Sequence, residues 1–208
     1  MGRRFTGWPE EAFDVLLRLE GDPAVVVRER HRKDRDRLVR EPMIALLQDL
    51  ADIEPVYDDF SVWGYGSHPW PWQHQSGVIR LEGRMELGMR FDLDGLGIHG
   101  GWVMARPGQA ELFRAAVADD ASGKELTDIV EVLREQGFEV SGDVMKRTPR
   151  GYPADHPRAG LLRHRTLVAA RELGCDEWLH TPEVLERVRE VYDGMRPLTA
   201  WLATHVGR

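Results

Sequence analysis

From Met85 to Leu93 apolar and polar positions alternate without a break: Met85, Leu87, Met89, Phe91 and Leu93 against Glu86, Gly88, Arg90 and Asp92. A period of two predicts a half-buried strand. Asp94-Gly95 follows and predicts a two-residue hairpin turn. Folding there sets Leu93 against Leu96, Phe91 against Ile98 and Leu87 against Trp102 on one face. It sets Arg90 across from His99 on the other. A preceding strand is expected over 77–83.

On either side the period changes to that of a helix. Pro9 opens one carrying Ala12, Phe13, Leu16 and Leu17, and Gly21 ends it. Asp22-Pro23 predicts the cap and first turn of a second helix. Pro42 predicts a restart or kink before Ile44, Leu46, Leu47 and Leu50. Pro107 starts a helix bearing Leu112, Phe113, Ala116 and Val117. Ser122 to Glu125 reads as a capping box for the next, which carries Leu126, Ile129, Val130 and Leu133 and stops at Gly137. A short strand is expected over 138–140, a short helix from about Pro157 and an extended run over 166–174. A last helix is capped by Thr181-Pro182 and interrupted at Pro197. Helices, then strands, then helices predict an α+β fold, one domain over 1–208, its twisted antiparallel sheet packed against helices.

At 208 residues, 42% hydrophobic and 30% charged, the chain has the material for one core. Its net charge of -7 argues against non-specific nucleic-acid binding, which draws its affinity from neutralising phosphates. The run "RERHRKDRDRLVR" (28–40) does not change this. Glu29 precedes Lys33 by four residues, as Arg30 does Asp34 and Arg32 does Asp36, the spacing of ion pairs on a solvated helix face. A single cysteine, Cys175, excludes an intramolecular disulfide and a cysteine zinc site. A small packed thiol is expected there. With no apolar run long enough to span a bilayer and no secretory pattern, a cytoplasmic protein without a membrane partner is expected. No phosphate-loop or dinucleotide fingerprint appears, and no cofactor is expected.

Within this acidic chain, "MKRTPRGYPADHPRAGLLRHRTLV" (145–168) concentrates positive charge in a stiff segment. The stretch resembles the domain-of-unknown-function 2461 family, whose members read Lys-Arg, a spacer, Pro-Arg-Gly-Tyr, Asp-His-Pro and Leu-Leu-Arg. Lys146, Arg147, Pro149, Arg150, Gly151, Tyr152, Asp155, His156, Pro157, Leu161, Leu162 and Arg163 stand in those places. Looser similarity covers "RFTGWPEEAFDVLLRL", "RPGQAELFRAAVAD" and "YDGMRPLTAWL". The resemblance implies an α+β fold and brings no activity with it. The chain departs from the family at "SVWGYGSHPWPWQHQSG" (61–77), where tryptophans and histidines replace the family's Arg-Asp and Asp-Lys-x-Pro-Tyr-Lys.

Arginine forks suit phosphate and carboxylate, and the prolines fix the path of the loop. The first reading is therefore a domain that binds a small anionic molecule through Lys146, Arg147, Arg150, Tyr152, His156 and Arg163. A helix begun at Pro157 would add its N-terminus. The polar sheet face adds Arg90 and His99. In the aromatic loop Trp70 and Trp72, with Trp63 and Tyr65, offer flat rings for stacking. His68 and His74 lack a third ligand at diagnostic spacing, so no metal site is expected. A second reading is an enzyme acting on a phosphorylated or carboxylated metabolite, with His156 or His99 as general acid/base and Arg150 as charge stabiliser. A third is an interaction module that docks a protein partner on exposed tryptophans.

Overall fold

A computed structural model describes residues 4–64 and 72–207. In chain order the elements are α1 (Glu11–Arg18), α2 (Val25–Arg35), α3 (Glu41–Ile53), β1 (Phe60–Val62), β2 (Gln75–Arg80), β3 (Glu86–Asp92) and β4 (Gly95–Trp102). There follow α4 (Gln109–Ala118), α5 (Asp120–Glu135), β5 (Glu139–Ser141), α6 (Ala159–Leu162), β6 (Leu167–Gly174) and α7 (Glu183–Val206). This is an α+β fold. Its sheet runs β1-β2-β3-β4-β6-β5. β1 and β2 pair antiparallel, with Phe60 opposite Ile79, as do β5 and β6, with Val140 opposite Ala169. The contacts divide the chain into two compact units. Unit 1 comprises 1–80, 88–98 and 172–191, and unit 2 comprises 81–87, 99–171 and 192–208.

Unit 1 is organised around Trp8. Its ring is fully buried and stacks on Phe91 at 4.5 Å and 9° between planes, and Phe5 meets it edge-on at 5.3 Å. A buried indole needs an acceptor, and Nε1 donates to the Val39 carbonyl at 3.0 Å. Val39 lies in a π-helical turn, Asp36–Arg40, between α2 and α3. Pro42 was expected to disturb the helix here. Without an N–H it cannot serve the carbonyl four residues back, and the disturbance takes the form of this wider turn. Leu16, Leu46, Leu47, Leu50, Ile79 and Met89 complete the core.

Unit 2 is organised around Trp102, whose Nε1 donates to the Gln109 side chain at 3.1 Å. Gln109 is buried; its oxygen also accepts from the Arg106 N–H at 2.9 Å and its amide donates to the Val206 carbonyl at 3.1 Å, so one side chain satisfies three partners. Phe113 packs between Trp102 and Trp201, and Trp201 Nε1 donates to the Ser122 carbonyl at 3.0 Å.

Met85, Leu87, Met89 and Phe91 are buried, as their alternation predicts. The turn differs. β3 ends at Asp92 and β4 begins at Gly95, so Leu93-Asp94 turns the chain, with the Asp94 N–H donating to the Asp92 carboxylate at 3.0 Å. Moving a two-residue loop by one position shifts every pairing by two and leaves the faces unchanged. Arg90 then counts across to Gly97 instead of His99. The carboxylate that fills the space above Gly97 is that of Glu172, which Arg90 engages.

Three helix expectations also change. α2 starts at Val25 behind Ala24, and no side chain caps it. α5 is capped by Asp119, which accepts from the backbone N–H groups of Ala121 and Ser122, so Ser122 lies inside the helix. The stronger cap sits three residues upstream of the capping-box pattern. α7 runs through Pro197 unbroken. The short helix expected from about Pro157 is found as α6, a single turn. Thr181 does cap α7, accepting from the Glu183 N–H at 3.2 Å. Cys175, expected as a packed thiol, is exposed.

Candidate functional site

The basic segment lies in unit 2 as a loop fastened at both ends. At its base Val144 bridges His164 antiparallel. The Met145 N–H donates to the Arg163 carbonyl at 2.8 Å, and Arg163 Nε donates to the Met145 carbonyl at 2.7 Å. One residue further out, the Arg165 N–H donates to the Asp143 carbonyl at 2.7 Å, and its guanidinium pairs with the Asp143 carboxylate at 2.8 Å. At the far end Arg158 donates to the carbonyls of Val117 at 2.6 Å, Ala118 at 3.0 Å and Asp119 at 3.3 Å, and to the Asp120 carboxylate at 3.0 Å. Val117 and Ala118 end α4, where carbonyls lack helical donors, so Arg158 closes that helix and complements its dipole. Gly123 makes room for it, since a Cβ there would lie 2.1 Å from the Val117 oxygen and 2.6 Å from Arg158 Nε.

Between these anchors the cations behave differently. Lys146, Arg147 and Arg150 are exposed, and among the described residues none makes an ion pair or hydrogen bond. Pro149 is buried and seats the loop, and Tyr152 is half-buried. Gly151 has φ +94°, a conformation open to glycine, at the apex between Arg150 and Tyr152. His156 accepts the Arg158 N–H on Nδ1 at 3.0 Å. That bond places the ring proton of neutral His156 on Nε2, as a donor. A one-turn α6 offers no macrodipole to speak of, so the helix N-terminus anticipated after Pro157 drops out.

A second polar cluster occupies unit 1. Arg35, 4% exposed, donates to the Trp72 carbonyl at 2.9 Å, the His74 carbonyl at 2.7 Å and the Gln75 side chain at 2.9 Å. Gln75 in turn donates to the Trp63 carbonyl at 2.9 Å. His74 Nε2 hydrogen-bonds the Ser76 hydroxyl. Burial holds the His74 ring below its ordinary pKa; Arg90 and Arg35 push the same way and Asp92 opposes them. Arg90 pairs with Asp92 at 3.0 Å and Glu172 at 3.2 Å. The Arg28 guanidinium lies 4.6 Å over the Trp72 ring, a cation–π contact.

The candidate residues thus fall into two groups. Lys146, Arg147, Arg150, Tyr152, His156 and Arg163 share the unit 2 loop. Arg90 and Trp72 belong to unit 1, and His99 lies on the β4 segment of unit 2. Tyr65, His68 and Trp70 lie outside the described residues. Trp8, Trp102, Trp178 and Trp201 are buried, and Trp63 and Trp72 are half-buried. The ion pairs of the 28–40 run form with other partners, Glu29 with Arg32, Asp34 with Arg37 and Asp36 with Arg40. Arg35 and Glu172 were not anticipated. Arg35 hides inside the mixed-charge run, and only its place on the inward side of α2 distinguishes it. Among the described residues no cluster of three His, Cys, Asp or Glu is arranged to hold a metal, and no helix is long and apolar enough to cross a membrane.

Comparison with known proteins gives one match. A family model described as "Conserved hypothetical protein (DUF2461)" matches residues 74–201. No curated protein and no solved structure matches.

Proposed function

The chain belongs to the DUF2461 family, and we propose that this member is a cytoplasmic domain that binds a small phosphate- or carboxylate-bearing molecule on the loop from Lys146 to His156. One observation carries the reading. The cations of the segment divide by role: Arg158, Arg163 and Arg165 are spent on backbone carbonyls and Asp143, whereas Lys146, Arg147 and Arg150 reach solvent with no protein partner among the described residues. In a protein of net charge -7, three cations left without carboxylates run against the composition. Fastening the loop at both ends lowers the ordering cost of binding. His156, whose Nδ1 lone pair is occupied by the Arg158 N–H, has an Nε2–H to give an anion and no lone pair with which to act as a base. That favours binding over general-base catalysis.

The test is thermal shift and calorimetric titration of the full chain with inorganic phosphate, pyrophosphate and citrate, repeated on Arg150→Ala. An anion present at about a hundredfold its Kd stabilises by roughly 2.7 kcal/mol, a Tm rise on the order of 5 to 10 °C for a chain of this size. The expected result is a shift in the wild type that disappears in a variant of unchanged apo Tm. Absence of a shift with every anion, or an equal shift in Arg150→Ala, overturns the reading.

A further inference from the structure

A cavity of about 440 Å³ opens in unit 1, away from the basic loop in sequence and built almost wholly from residues that precede the family match. Its floor is apolar: Phe5 and Trp8 are buried, and Leu38, Pro42 and Ala45 are half-buried. Its rim is polar and exposed: Arg4, Thr6, Glu11, Arg37 and Glu41. An apolar base with a few polar groups around it, at the small end of ligand-pocket volumes, is the usual build of a small-molecule site.

The walls are fixed before any ligand arrives. Trp8 is held by its stack on Phe91, by Nε1 on the Val39 carbonyl, and by its own N–H, which donates to the Leu179 carbonyl at 2.9 Å. Gly7, at φ +103°, lets the 4–8 segment lie against His180, where a Cβ would come within 2.2 Å of backbone. The facing wall is the π-helical turn and the start of α3, and π turns inside helices often mark functional sites. His180 also lines the cavity, and its Nδ1 donates to the Trp8 carbonyl at 2.8 Å. A carbonyl can only accept, so neutral His180 keeps Nε2 as an acceptor.

The charges on the rim balance, two arginines and two glutamates. Arg37 pairs with Asp34 at 3.2 Å, but Arg4, Glu11 and Glu41 have no ion pair among the described residues. Arg4 and the two glutamates share a small cavity without pairing, an arrangement that suits a ligand carrying both signs. We propose that this cavity binds a zwitterion of the amino-acid class with an apolar side chain. Arg4 and Arg37 face its carboxylate, Glu11, Glu41 and the His180 acceptor face its ammonium, and the side chain lies on the Phe5, Trp8 and Leu38 floor.

The experiment is calorimetric titration of the full chain with L-phenylalanine and L-leucine, beside N-acetyl-L-phenylalanine, which lacks the ammonium, and L-phenylalaninamide, which lacks the carboxylate. One free amino acid should bind, and masking either charge should weaken binding by about tenfold or more. Arg4→Gln and Glu41→Gln sit on the exposed rim, fold normally and each lose affinity, while Ala45→Phe fills the cavity and abolishes binding. The proposal is overturned if neither amino acid binds at millimolar concentration, if a masked analogue binds as well as the free one, or if folded Ala45→Phe binds like the wild type. The probes carry carboxylates that the 146–156 loop could also hold, so each titration is repeated on Arg150→Ala: binding that survives there and is lost in Ala45→Phe belongs to this cavity, and failure here is thereby separate from failure of the anion-binding loop.

Discussion

The Arg35 guanidinium donates to the side-chain oxygen of Gln75 at 2.9 Å, and both residues are buried. The same fork serves the carbonyls of Trp72 and His74, so one arginine on α2 holds the entire entry into β2. Buried acceptors that lose their donor bear the desolvation cost with nothing in return. Arg35→Met keeps the apolar stem and removes the donors. It should destabilise the protein by about 3 kcal/mol, a fall in Tm of roughly 6 to 12 °C. Lys33→Met, on the exposed side of the same helix, should stay within about 0.5 kcal/mol. Urea melts of the two variants make the comparison; equal stabilities would mean that Arg35 is not the anchor of 72–75.

Gly123 sits inside α5, where propensity alone favours alanine by about 1 kcal/mol. Packing reverses the sign. The added methyl would stand 2.1 Å from the Val117 oxygen, which is backbone and cannot swing aside, and 2.6 Å from Arg158 Nε. Gly123→Ala should therefore destabilise, by about 1 to 3 kcal/mol, as overpacking does. Denaturant unfolding decides it, and any gain in stability would refute the close packing of α4, α5 and Arg158.

How much of this was readable from the chain depended on whether the cause was local. The odd-numbered residues from Met85 to Phe91 declared their buried face because a strand repeats every two residues whatever surrounds it. Gly137 and Thr181 marked helix ends through their own backbone and hydroxyl chemistry. The hairpin turn was missed by one position because Asp92 could cap a turn at Leu93-Asp94, with Gly95 passing into the strand. Asp119 outcompeted Ser122 as a cap, a contest between two good candidates three residues apart. Arg35 and Arg158 were out of reach for a different reason: their roles lie in partners 37 to 41 residues away, and Gly123 is constrained by that same Arg158. The basic segment was legible as a cluster, but its division into anchoring and solvent-facing cations required the fold.

Two histidines should give the stability a pH dependence of defined sign. Burial lowers the pKa of His74, assisted by Arg90 and Arg35 against Asp92. Burial also lowers that of His164, whose bond to the Thr166 carbonyl opposes the shift while Arg134 and Arg163 add to it. Unfolded histidine takes up its proton near pH ~6.5, whereas these two do so only at lower pH when folded. In that interval the unfolded chain binds more protons, so stability is complete above about pH 6.5 and is lost as pH falls through the folded values. Tm should be level from about pH 8 to 7 and decline below about 6.5. His74→Gln with His164→Gln should flatten that decline, and a slope unchanged in the double variant would assign it to other groups.

The strongest contrast lies within the basic segment itself, between Arg158 and Arg147. Both are arginines of one short stretch, and only Arg147 stands in a place of the family motif. Arg158 is 13% exposed at its side chain and serves three carbonyls at the α4–α5 junction. Its ion pair with the fully exposed Asp120 adds little, because solvent screens it. The stabilisation comes from the carbonyls, which would otherwise end α4 without donors. Arg158→Ala should cost about 2 to 3 kcal/mol. Arg147→Ala touches no protein partner among the described residues and should change stability by less than about 0.5 kcal/mol while weakening the binding of phosphate or citrate. Parallel melts and titrations of the two variants separate the roles: a large loss of stability in Arg147→Ala would make the whole segment structural, and a neutral Arg158→Ala would remove the anchor on which the loop's preorganisation rests.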